Sequence, residues 1–305
     1  MKNIFLLSIL MILKMATTNA QNSNATNANY TYATVPTQFV EANGIKFAYR
    51  SYGKKGDIPV IYFNHLTANL DNCDPRIMDA IAAHRQIISF DYRGIGATTG
   101  KQGESIADMA KDGIAFIHAL GYKQVDIVAF SMGGFITQEI LLLEPQLVRK
   151  VILAGTGPRG GAGISDVVGK TYGDIFKGLF TFRDPKFYLF FNQDKIGKAA
   201  AKDFLHRLKE RKENRDKKVK LYALKKQLKA IKDWGNEKPM DLSVFNLPVF
   251  IANGDADRMV PSQLSNDMAK RFPNAQLKIY PNSGHGGIFQ YHEEFIPQAI
   301  DFLIK

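Results

Sequence analysis

The chain has 305 residues, 45% of them hydrophobic and 23% charged, a balance that suits a globular fold and excludes a disordered or collagen-like one. Its formal net charge is +11, but no nucleic-acid motif accompanies that charge, so no nucleic-acid partner is expected. The single cysteine, Cys73, excludes an intramolecular disulfide, and no His/Cys/Asp/Glu set has zinc-like spacing, so no metal site is expected.

Met1 to Ala20 reads as a signal peptide. Lys2 opens it, Ile4 to Leu13 is almost wholly apolar, and Thr18-Asn19-Ala20 offers a small-residue cleavage site. The apolar run is too short to span a bilayer, so the mature protein is expected to be secreted or periplasmic, with no stable membrane insertion. Residues 21–37, rich in Asn, Thr and Ala, read as a flexible arm. Asn24 and Asn29 each open a glycosylation sequon, which matters only in a eukaryotic host.

A domain is expected over residues 38–305. Thr37 to Val40 and Ile45 to Ser51 read as a hairpin turning through Asn43-Gly44. Buried strands follow at Pro59 to Asn64, Gln86 to Asp91, Val125 to Phe130 and Lys150 to Ala154. Helical patterns separate them near Arg76 to Ala83, at Ser105 to Gly121 (capped by Ser105 and ended by Gly121) and at Gly134 to Leu143. This alternation predicts an α/β fold with a mostly parallel sheet of eight strands flanked by helices. It lapses between about 156 and 240, where only helical patterns occur, and resumes with strands at Leu247 to Asn253 and Gln276 to Tyr280 and a helix over Ile288 to Ile304. The gap therefore reads as a helical cap inserted into a continuous sheet. Lys195 to Lys238 holds sixteen Lys/Arg against six Asp/Glu, a pattern that reads first as a solvated helix face and second as an anion-attracting surface.

Three strand ends carry candidate residues, where chemistry is expected. Ser131, in "AFSMGGF", joins a strand to a helix, so its side chain would stand above the carboxyl edge of the sheet beside a helix N-terminus. A helix-capping serine is the ordinary alternative. Asp257 and Asp255 both lie in "GDADRMVP", either able to orient an imidazole. His285 sits in "PNSGHGGI", where glycines let a loop carry the ring to a fixed point.

The order Ser131, acid, His285 resembles the serine-triad branch of the α/β-hydrolase superfamily, in particular its small esterases and cofactor-free haloperoxidases (perhydrolases). "FDYRGIGATTG" is similar to the superfamily loop D-x-R-G-x-G-x-S, with Thr98 for Ser, and "GDADRMVP" to its acid loop, which implies Asp257. Ala129 replaces the first Gly of G-x-S-x-G, a small residue for a small one. The resemblance implies an oxyanion hole from the backbone amides of Met132 and Thr67, with Leu66 the alternative to Thr67 and His65 bracing the loop. The superfamily's usual His-Gly is here His65-Leu66.

The same resemblance implies a serine hydrolase that needs no cofactor and cleaves esters or lactones of a small, partly apolar substrate through an acyl-enzyme. A carbon–carbon or peptide-bond hydrolase and a haloperoxidase or perhydrolase are the alternatives, with a ligand receptor bearing vestigial catalysis behind them. Within the apolar stretch Ile175 to Phe191, Phe176, Phe180, Phe187 and Phe190 are the candidate pocket residues. No pattern in the sequence encodes the oligomeric state.

Overall fold

A computed structural model describes residues 30–305. The segment expected to be a signal peptide and the arm up to residue 29 lie outside the described residues. The rest of the arm is packed, contrary to the expectation of a loose segment reaching residue 37. Tyr32 and Val35 are buried, the Tyr32 hydroxyl donates to the Leu70 carbonyl, and Arg211 donates to the carbonyls of Tyr32, Ala33 and Val35. Burial of these two apolar side chains and the Arg211 bonds to the backbone carbonyls together hold the segment down.

Eight strands form one sheet: β1 (Gln38–Ala42), β2 (Ile45–Tyr52), β3 (Val60–Phe63), β4 (Ile87–Phe90), β5 (Val125–Phe130), β6 (Val148–Ala154), β7 (Val249–Gly254) and β8 (Ala275–Tyr280). Their spatial order is β1-β2-β4-β3-β5-β6-β7-β8. The two pairings of β2 are antiparallel and the rest parallel. β3 to β7 are buried on both faces, which is why they read as unbroken apolar runs. The helices α1 (Pro75–Ala82), α9 (Gly287–Gln290) and α10 (His292–Ile304) pack in the core on one face; α2 (Ile106–Ala119), α3 (Met132–Leu143) and α8 (Ser262–Arg271) pack on the other. The single last helix expected from the sequence is broken at Tyr291, whose backbone leaves helical geometry while its ring stacks on Tyr280 with centroids 5.2 Å apart.

Between β6 and β7 the chain forms α4 (Val167–Thr181), α5 (Lys186–Leu189), α6 (Lys195–Arg207) and α7 (Leu221–Gly235), with no strand. These helices lie over the carboxyl edge of the sheet and are tied down by buried polar bonds. Arg207 of α6 grips both carboxylate oxygens of Asp74, the residue that caps α1. Trp234 of α7 stacks on Phe135 of α3 at 4.4 Å and donates its indole N–H to Glu139 at 2.8 Å. Asp74 and Arg207 are both buried, so their pairing also avoids the penalty of an uncompensated interior charge, and buried Glu139 has its own counter-charge in Arg159 at 3.1 Å.

Candidate active site

The turn after β5 has the conformation that its sequence implies. Ser131 has φ 56° and ψ −119°, and its side chain makes no capping bond to α3, which removes the helix-cap alternative. The bend is clamped at the Ser131 N–H, which donates to the Ala154 carbonyl, and at the Gly134 N–H, which donates back to Ser131. A Cβ on Gly133 would run into the backbone of Phe63, so only glycine allows α3 to start this close to β3. Ala129 is fully buried, and its methyl is accommodated where the pentad usually has glycine.

The loops after β7 and β8 close onto this turn. His285 Nε2 lies 2.9 Å from Ser131 Oγ, and His285 Nδ1 lies 2.7 Å from Asp257 Oδ2. A carboxylate oxygen only accepts, so Nδ1 carries the proton and Nε2 presents its lone pair to the serine hydroxyl. The second oxygen of Asp257 accepts from the amides of Met259 and Val260 at 2.8 and 3.0 Å, which holds the carboxylate's orientation. All three side chains are buried. Asp255, the competing acid, is exposed and braces the turn instead, accepting from the Ser283 amide at 3.2 Å. A Cβ on Gly254 would strike the carbonyls of Ser283 and Gly284, so that glycine lets the acid and histidine loops touch.

Opposite the serine, the loop after β3 differs from expectation at one atom. Thr67 is held in the left-handed region at φ 57°, and its amide donates to Gln227 Oε1 of α7 at 2.7 Å. That amide is already used. Leu66, the alternative, has an amide with no acceptor among the described residues, as does Met132 at the start of α3. The Gln227 amide group is oriented by this bond, because a backbone N–H can only donate. Its Nε2 then donates to Gln102 Oε1 at 3.1 Å. Gln227 is fully buried and has no signal in the sequence, since it lies 160 positions from its partner.

His65 braces the same loop. Its Nδ1–H donates to the Leu66 carbonyl at 2.7 Å, and its ring packs edge-on against Phe190 and Phe130. Burial, reinforced by the nearby Lys186, lowers its pKa to about 3, so the ring is neutral in the folded protein. The unfolded chain takes up a proton near pH 6.5 that the folded chain refuses until about pH 3. Stability is therefore fully present above pH 6.5 and falls at lower pH, by about 1 kcal/mol per pH unit from this group. Thermal unfolding between about pH 6.5 and 4.5 is expected to show that decline, and His65→Gln to flatten it; an unchanged slope would show that His65 ionises freely.

A cavity of about 810 Å³ opens beside Ser131 and His285. Its lining includes apolar Leu66, Phe135, Val167, Leu189, Phe190 and Ile231 and charged Lys186, Arg215, Lys218, Lys220, Asp71, Asp184 and Asp216. Of the four phenylalanines expected to line it, only Phe190 does. Phe187, on α5, is buried in the same hydrophobic core as Phe190 without lining the cavity, and Phe176 and Phe180 face solvent. The reason is helical phase. α4 buries Val167, Thr171 and Gly178, which puts Phe176 and Phe180 on its outer side. Among the described residues no cluster of His, Cys, Asp or Glu could hold a metal ion.

Comparison with known proteins agrees with this architecture. The α/β-hydrolase fold family matches residues 58–290, and the chain belongs to that family. An α/β-hydrolase fold protein from Chitinophaga pinensis is 36% identical, with a TM-score of 0.84 over 90% of this chain and 99% of that one. A provisionally named esterase/lipase of Haemophilus influenzae is 28% identical over 254 residues, covering 81% of this chain and 84% of that protein. The provisionally named non-heme bromoperoxidase BpoC of Mycobacterium tuberculosis is 39% identical over 79 residues, so the match spans only 30% of its length. The protein is thus a hydrolase by family, with relatives of esterase and haloperoxidase type.

Proposed function

We propose that the protein hydrolyses carboxylic esters or lactones of a small, partly apolar substrate through an acyl-enzyme on Ser131. The observation that carries this reading is the unbroken hydrogen-bond chain Ser131–His285–Asp257 at the wall of a largely apolar cavity. His285 Nε2 takes the proton as Ser131 Oγ bonds to the carbonyl carbon, and Asp257 stabilises the imidazolium. The carbonyl π electrons move onto oxygen, and that oxyanion is held by the amides of Met132 and Leu66. The α3 N-terminus adds a favourable dipole. His285 then gives its proton to the leaving alkoxide. Water, deprotonated by the same imidazole, releases the acid and restores the serine.

The esterase/lipase named in Haemophilus influenzae supports the ester reading. No cofactor enters any step. The test is turnover of p-nitrophenyl esters of increasing chain length and of simple lactones, beside labelling by a fluorophosphonate. Stoichiometric labelling at Ser131 with ester turnover is expected; labelling without turnover of any ester or lactone would move the reading to a carbon–carbon or peptide-bond hydrolase. Absence of both would leave a ligand-binding role.

A further inference from the structure

The outer side of α4 exposes apolar surface that none of the described residues covers. Phe176, Leu179 and Phe180 are 57, 67 and 80% exposed, and Phe182, which ends the helix, is 97% exposed. Phe182 also sits in the left-handed region at φ 53°, a conformation costly for a bulky residue. Single exposed apolar side chains are ordinary, but four large ones within seven residues mark an interaction surface. α7 packs against α4 and begins with Leu221 and Tyr222, 64 and 49% exposed. Ile175 and Leu221 both line the cavity, so this apolar tip lies at the cavity's mouth.

Charge identifies what the tip meets. Residues 175–183 hold two Lys/Arg and residues 217–232 hold seven, with no Asp or Glu in either stretch. Most of the lysines of the second stretch, including Lys217, Lys218, Lys220 and Lys225, make no ion pair among the described residues. Two copies brought together through this surface would oppose like charges, which disfavours self-association. An exposed aromatic surface on α4, packed beside the lysine-rich α7, instead suits a lipid surface of negative charge, where the apolar groups enter the acyl boundary and the amines meet phosphates. No helix among the described residues is long and apolar enough to cross a membrane, so the contact is peripheral.

We infer that the α4–α7 tip docks the protein on anionic lipid, with the cavity mouth facing the acyl layer. The inference concerns binding and stands whether or not Ser131 proves catalytic. The probe is Phe182→Cys carrying a nitrobenzoxadiazole label; Cys73 is buried and is spared. A second label, at Asp57→Cys, reports from the opposite, amino-terminal edge of the sheet, just before β3. Vesicles of phosphatidylcholine with phosphatidylglycerol are expected to blue-shift the label at position 182 but not the label at 57. Vesicles of phosphatidylcholine alone are expected to bind far less. Adding Leu179→Ser and Phe180→Ser should weaken partitioning by about tenfold or more, and Lys218→Glu with Lys220→Glu should erase the preference for phosphatidylglycerol. Equal responses at both labels, or none at position 182, would overturn the inference. So would a lipid-free dimer in sedimentation that the serine substitutions dissolve.

Discussion

Ser131→Ala is expected to lower kcat/KM for a short p-nitrophenyl ester by about 10⁴-fold or more while leaving the fold intact. The size comes from the geometry. Among the described residues, the serine oxygen is the hydrogen-bond partner of the His285 ring nitrogen that carries the free lone pair, at 2.9 Å, and in the proposed reaction alanine leaves water to attack unaided. His285→Ala should cost a similar factor, and the double variant little more, because the two residues act as one unit. Folding is spared because the Ser131 side chain makes no capping bond and its backbone N–H still reaches Ala154. Full ester turnover by either single variant, with fluorophosphonate labelling elsewhere, would remove the triad from the reaction.

Gln227→Leu is expected to reduce kcat by about 10²-fold with KM little changed, the usual cost of a lost oxyanion donor. Gln227 touches no reacting atom. It acts by holding Thr67 in its left-handed conformation, which in turn sets the direction of the Leu66 amide next to it in the loop. Leucine has similar volume, so the cavity and α7 packing persist while the Thr67 N–H loses its acceptor. Gln227→Glu should restore much of the rate, since a carboxylate still accepts from Thr67 and Gln102 can turn its amide to donate. A purely structural role would predict loss of stability in step with rate and no rescue. The affinity of a trifluoromethyl ketone inhibitor separates the two, because it should fall with kcat only if the oxyanion site is disturbed.

Much of this site is legible in the sequence because its parts obey local rules. β5 and α3 announce themselves by apolar periodicity, and small residues at Ala129 and Gly133 mark the tight turn between them. The strands fall within a residue or two of their expected bounds, since β3 to β7 are short apolar runs bounded by polar turns and β1 and β2 flank a recognisable Asn-Gly turn. In the sequence, the choice of Asp257 over Asp255 rests on family likeness alone, and the structure supplies the physical reason in the amides of Met259 and Val260. The illegible features depend on contacts between distant segments. The use of the Thr67 amide requires knowing where α7 lands. The inward or outward fate of Phe176, Phe180 and Phe187 depends on the phase of helices whose two apolar sides compete. The packing of Tyr32 and Val35 likewise needs Arg211 from the cap.

Trp234 is the only tryptophan in the chain, and it stands at the seam between α7 and the helix that begins just after Ser131. Its indole has a stacking partner and a buried carboxylate acceptor on that helix and none on its own. The seating of the cap thus has a built-in optical signature. Emission from this one ring tracks whether α7, and with it Gln227, is in contact with α3, so any unseating of the cap can be followed in real time without a label.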